Sequence, residues 1–100
     1  MEDLFTTKKI QKIHIRAQQM GSKWITTIEG IDDDLDLKRI AKAMKKTLHC
    51  AATLIKNKDE EEDSIIQLQG DQRADVVTWL VDNEVLTADE AKERIMVHGT

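Results

Sequence analysis

Residues 13–28 read Ile13-His14-Ile15-Arg16-Ala17-Gln18-Gln19-Met20-Gly21-Ser22-Lys23-Trp24-Ile25-Thr26-Thr27-Ile28. The first six alternate apolar and polar, which puts Ile13, Ile15 and Ala17 on one face of a strand. Trp24 to Ile28 is rich in β-branched and aromatic residues and predicts a second strand folding back on the first. Met20 to Lys23 reads as the turn between them, so the hairpin tip is exposed and carries Lys23.

Downstream, Gly30 and the acidic run Asp32 to Asp36 precede a helix, with Asp34 or Asp36 placed to accept hydrogen bonds from its first free amides. Leu37, Ile40, Ala41, Met44 and Leu48 recur at helical spacing as an inner stripe. Lys38, Lys42 and Lys45 share another face, flanked by Arg39 and Lys46. Cys50 to Ile55 predicts a buried strand, Asn57 to Asp63 an acidic loop, and Ser64 to Gln69 a strand with Ile66 and Leu68 on one face. Asp71 is an N-cap candidate for a second helix from about Gln72 to Val85, with Val76, Val77, Leu80 and Val81 on its stripe. Thr87-Ala88-Asp89-Glu90 has capping-box form and starts a short helix or turn, and Arg94 to His98 closes the chain as a strand. The expectation is an α+β fold: two helices packed on one face of a mixed, about five-stranded sheet, in the order β-β-α-β-β-α-β.

A length of 100 residues suits one core rather than two. The apolar run Val76 to Val81 is far below the roughly 20 residues of a membrane span, and Met1 to Thr7 leads into no signal-length apolar stretch. The single cysteine, Cys50, excludes an internal disulfide and fits a reducing compartment. The net charge of −4 argues against a polyanionic partner, but the charges are segregated. Residues 4–28 hold five cations and no anion, residues 37–58 seven cations and no anion, and residues 59–63 five consecutive anions. A solvated face is the ordinary reading of such runs; blocks of one sign also set the local field that a polyanion meets.

Chemistry for catalysis is not visible. His14, His49 and His98 lack metal-ligand spacing, and His49 and Cys50 are neighbours whose side chains diverge on a strand, so Cys50 reads as a small buried hydrophobe. The glycines are too scattered for a phosphate loop. Asp59, Glu61 and Asp63 mimic the start of a calcium loop without its glycine and final glutamate. Neither a cofactor nor a metal is expected. The basic hairpin and basic helix supply phosphate contacts, which orient a nucleic acid without reading its sequence. The sheet lacks the aromatics of the usual RNA-recognition sheet; Trp24 could stack on a base, although packing is the commoner fate of such a residue.

Five stretches carry a resemblance: Ile13 to Gln19, Thr26 to Ile31, Asp36 to Ile40, Ile65 to Arg73, and Val97 to Gly99. Together, and in this order, they resemble the eukaryotic translation initiation factor 1 family over roughly residues 10 to 100, the run Ile66 to Arg73 being the most specific. The resemblance implies one domain over residues 10–100 behind a short flexible tail at 1–9, and a cytoplasmic, monomeric, non-catalytic factor. Such a factor binds the small ribosomal subunit near the decoding site and promotes scanning and stringent start-codon selection. The host cytoplasm is meant if the chain is virus-encoded. The implied partners are small-subunit ribosomal RNA, the preinitiation complex with initiator tRNA, and other initiation factors. It also implies roles for particular residues. Gln18, Gln19, Met20, Gly21, Ser22 and Lys23 would form the ribosomal-RNA probe, and Lys38, Lys42 and Lys45 a contact face for RNA or partner factors. Asp71, Gln72 and Arg73 would govern start-site selection, and Asp59, Glu60, Glu61, Glu62 and Asp63 would face initiator tRNA. The tip departs from the family in being shorter and less basic, with Met20, Gly21 and Ser22 where two arginines are usual, and the acidic loop is longer. The alternative is an interaction-only decoy or regulator that docks initiation factors without productive ribosome binding.

Overall fold

The computed structural model describes residues 12–31, 35–56 and 63–98. The expected tail at 1–9, most of the acidic loop (57–62) and Gly99 lie outside the described residues. Five strands and three helices follow one another as β1 (Ile13–Met20), β2 (Lys23–Glu29), α1 (Leu37–Leu48), β3 (Ala52–Lys56), β4 (Asp63–Gln69), α2 (Arg73–Asp82), α3 (Ala88–Arg94) and β5 (Ile95–His98). The sheet order is β3-β4-β2-β1-β5, with β5 parallel to β1 and every other pair antiparallel. The α+β architecture with a mixed five-stranded sheet is therefore the one expected from the period-two and helical patterns. The capping-box segment, left open as helix or turn, is the third helix. Thr87 accepts from the Glu90 amide at 3.1 Å, and the Glu90 carboxylate accepts from the Thr87 amide at 2.9 Å.

Alternation decides which face is covered. Ile13 and Ile15 of β1, Ile28 of β2, and Ile66 and Leu68 of β4 share one core cluster with Ala41 and Met44 of α1 and Val76, Trp79 and Leu80 of α2, and Ala17 of β1 is also buried. Each fully buried aliphatic side chain contributes about 1.5–3 kcal/mol relative to exposure. His14, Arg16, Gln18, Thr27, Gln67 and Gln69 point to the other, uncovered face, as the strand pairings require. Gly30 follows β2 at φ +102°, against the backbone of Lys12; a Cβ there would collide with the Lys12 carbonyl oxygen, so only glycine fits.

Several boundaries move, each for a physical reason. The hairpin turn is two residues, because Met20 and Lys23 pair as strand residues. Gly21 sits at φ +68° and Ser22 does not, the pattern of a type II′ turn whose first central position favours glycine. Asp63 belongs to β4, paired with Lys56, rather than to the preceding loop. Cys50 precedes β3 instead of lying in it, because His49 closes α1 in a left-handed conformation (φ 52°). Asp36, not Asp34, caps α1, its carboxylate accepting from the amides of Lys38 (3.1 Å) and Arg39 (3.3 Å). Asp71 lies one residue before the N-cap position, which Gln72 occupies; its carboxylate accepts from the Arg73 amide at the start of α2 (3.4 Å) and from the Arg73 guanidinium. Helix α2 stops at Asp82, and Trp79, outside the stripe read from the sequence, is one of its buried residues.

Candidate functional site

The candidate residues form separate surfaces. Lys38, Lys42 and Lys45 are exposed on α1 and line one groove of about 340 Å³, whose floor is Ala41, Ala52 and Leu54. Helical spacing puts the three ammonium groups on one side, and the adjacent edge strand β3 supplies the floor. None of the three makes an ion pair with a described residue. The helix is thus a field source, its inner stripe packed and its outer face cationic.

The hairpin tip lies elsewhere. Burial in β1 ends at Ala17; Gln18, Gln19 and Met20 are exposed, as are Gly21, Ser22 and Lys23, so the hairpin outruns the core it is anchored to. Lys23 opens onto the uncovered face of the sheet, beside Ile25, Gln67 and Gln69. The α1 lysines lie on the covered side, so Lys23 and the α1 lysines do not share one patch. Trp24 is half-buried and its carbonyl accepts from the Gly70 amide at 2.6 Å. Lys56 and Asp63, which flank the acidic residues 59–62, pair at the opposite end of the sheet from the tip.

The segment 70–73 leaves β4 beside the hairpin and turns into α2. Arg73 donates to Asp71 through Nε (2.9 Å) and Nη2 (2.8 Å) and to the carbonyl of His98 on β5 through Nη1 (3.0 Å). These partners explain a cation in the first turn of a helix, where the dipole disfavours it. The guanidinium hydrogen bonds hold the Asp71 carboxyl below the usual carboxylate range. His98 meets His14 through a 3.0 Å Nδ1···Nε2 contact. Their rings are 20° from parallel with centroids 5.2 Å apart, so they join edge to edge, one ring donating and the other accepting. Thr26, which no periodic pattern singles out, is fully buried and holds this segment from beneath: its hydroxyl donates to the Gly70 carbonyl (2.7 Å) and accepts from the Gln72 amide (2.8 Å). Its partners are 44 and 46 residues away, beyond any local pattern.

Burial pushes the Cys50 thiol up, outweighing a hydrogen bond from the Gln69 backbone, which disfavours the nucleophilic thiolate. No described helix is long and apolar enough to cross a membrane.

Comparison with known proteins places this architecture. The chain is 44% identical over 88 residues to "Eukaryotic translation initiation factor eIF-1" of Saccharomyces cerevisiae, covering 87% of this chain and 76% of that protein. It is 41% identical over 99 residues to "Eukaryotic translation initiation factor 1" of Homo sapiens, covering 98% and 82%. In fold it is similar to the C-terminal domain of human eIF2D, with a TM-score of 0.70 at 18% identity over 86% of this chain and 45% of that one. Residues 9–86 match the profile described as "Translation initiation factor SUI1", reaching from the start of the hairpin to the end of the α2 region, so the chain belongs to the translation initiation factor SUI1 family.

Proposed function

We propose that the protein acts in translation initiation by binding alone, seating on the small ribosomal subunit near the decoding site and making start-codon selection stringent. The observation that carries this reading is the separation of three surfaces around one five-stranded sheet. An exposed hairpin tip leaves one end, the paired strand ends Lys56 and Asp63 lie at the other, and a cationic helix face lies beside β3. In this reading Gln18 to Lys23 probe ribosomal RNA, and Lys38, Lys42 and Lys45 contact RNA or partner factors. Asp71 to Arg73 bear on start-site choice, and Asp59 to Asp63 face initiator tRNA. Residues 10–100 form the functional domain, which works as a cytoplasmic monomer. Phosphate contacts position such a factor without reading sequence, while the codon itself is read by base pairing between other molecules. Five carboxylates near a phosphate backbone add a repulsion of several tenths of a kcal/mol after screening, enough to tilt a balanced equilibrium between open and closed complexes.

Co-sedimentation with purified small subunits, paired with a reconstituted comparison of AUG and UUG initiation, tests the reading. Binding at low salt with a higher UUG share when the protein is omitted is expected. Persistent failure to bind at low salt, with retained capture of initiation factors, would mean an interaction-only regulator instead.

A further inference from the structure

We infer that Thr26 is a positioning residue for the start-site segment and couples that segment to the hairpin; this rests on the reading of Asp71, Gln72 and Arg73 given above. Gln72 stands at the N-cap of α2 and provides no side-chain cap, and the Asp71 carboxylate accepts from the amide and the guanidinium of Arg73, neither of which reaches the Gln72 amide. The Gln72 amide, just ahead of the helix, is taken by a hydroxyl on β2. Thr26 uses its one proton on the Gly70 carbonyl and a lone pair on the Gln72 amide, so a single group satisfies both sides of the turn. Two residues earlier on the same strand, the Trp24 carbonyl accepts the Gly70 amide. Three hydrogen bonds therefore tie Gly70 and Gln72 to a stretch of β2 that begins next to Lys23 at the hairpin tip. From the other side Arg73 reaches the His98 carbonyl. Residues 71–73 are held between β2 and β5, and a displacement of β2 when the tip meets RNA reaches them through the Thr26 hydroxyl and the Trp24 carbonyl. Thr27, the next residue, faces the uncovered side of the sheet and serves as an internal control.

The test compares Thr26→Val, which keeps shape and removes the hydroxyl, with Thr26→Ser, which keeps the hydroxyl. Thr27→Val and Gln72→Ala are assayed beside them. Loss of the hydroxyl leaves a part-buried carbonyl and amide without their partner, so exchange of the Gln72 amide should quicken roughly tenfold in Thr26→Val and stay near the parent rate in Thr26→Ser. The UUG to AUG ratio should shift roughly threefold or more in Thr26→Val, with small-subunit binding retained, and stay near parental in Thr26→Ser and Thr27→Val. Thr26→Ala against Thr26→Ser, both lacking the methyl group, gives the same contrast if Thr26→Val does not fold. A ratio that moves equally in the Ser and Val variants, or moves in Gln72→Ala but not in Thr26→Val, overturns the positioning role. An unchanged ratio in both Gln72→Ala and Thr26→Val overturns the start-site reading itself, and this inference with it.

Discussion

The outer face of α1 and the segment from Gly70 to Arg73 are both polar and both at the surface, yet they are built differently. On α1, three lysines stand around a groove without an ion-pairing partner among the described residues. In the segment, the Gly70 amide and carbonyl, the Gln72 amide, the Asp71 carboxylate and the Arg73 guanidinium are each hydrogen-bonded. The first region offers charge with freedom of placement, which suits phosphates met in many registers. The second offers fixed geometry, which suits a decision between two states. Substitutions on α1 should accordingly scale with charge and salt, and substitutions in the segment should not.

The largest effect should come from crossing from the outer to the inner side of α1. Met44 is fully buried, so Met44→Ala should lower stability by about 2–5 kcal/mol, read by denaturant unfolding. The outer face should behave oppositely. Lys42→Glu with Lys45→Glu should leave the thermal melt almost unmoved while weakening small-subunit or factor binding. Affinity of the parent should fall roughly ten- to a thousandfold between about 50 and 200 mM salt, and the double variant should show a shallower slope. An equal slope would mean that these lysines meet no phosphates. A large loss of stability in the double variant would mean that they are structural.

Within the segment, Arg73→Ala should alter the UUG to AUG ratio with small-subunit affinity and its salt slope intact. Replacing Asp59 to Asp63 with Ser and Gly should raise UUG initiation through a change of several tenths of a kcal/mol, again with binding retained. An unchanged ratio would leave the acidic residues a solubilising role only. The smallest effect concerns pH. Because Arg73 holds the Asp71 carboxyl below its ordinary value, the pair's contribution is fully present above about pH 4 and is lost as pH falls through the lowered value. The stability difference between parent and Asp71→Asn should therefore be constant above about pH 4 and shrink toward lower pH. A difference that grows on acidification would contradict the ion pair.

The two regions also differ in how far the sequence revealed them. Periodicity exposes α1 completely: the stripe Leu37, Ile40, Ala41, Met44 and Leu48 faces in, and the lysines follow by spacing alone. The alternation of Ile13, Ile15 and Ala17 likewise gives β1 and, with Trp24 to Ile28, the hairpin. The segment resists the same treatment. Asp71 reads locally as a cap, but its carboxylate is shared between the Arg73 amide and the Arg73 guanidinium, and the turn ahead of the helix is held by a threonine that looks like ordinary strand filler. Trp79 escaped the α2 stripe because that helix is covered on several sides, by α1, α3 and β1, which blurs its periodicity. Long-range hydrogen bonds leave no period in the chain, whereas buried faces do.

The two-residue Gly21-Ser22 turn makes the hairpin tip an evolvable cassette. Register is set below it by seven consecutive pairs from His14 with Glu29 to Met20 with Lys23, and by a core that ends at Ala17. Residues inserted between Met20 and Lys23 would loop outward without shifting any strand, and each doubling of such a loop costs only about 0.6 kcal/mol of closure entropy. Length and charge at the tip are thus free to vary between lineages, or at a designer's bench, while the scaffold stays constant. On the proposed reading of the tip as a ribosomal-RNA probe, grafting an arginine-bearing loop there would retune small-subunit affinity as one would exchange the bit of a tool, leaving the handle untouched.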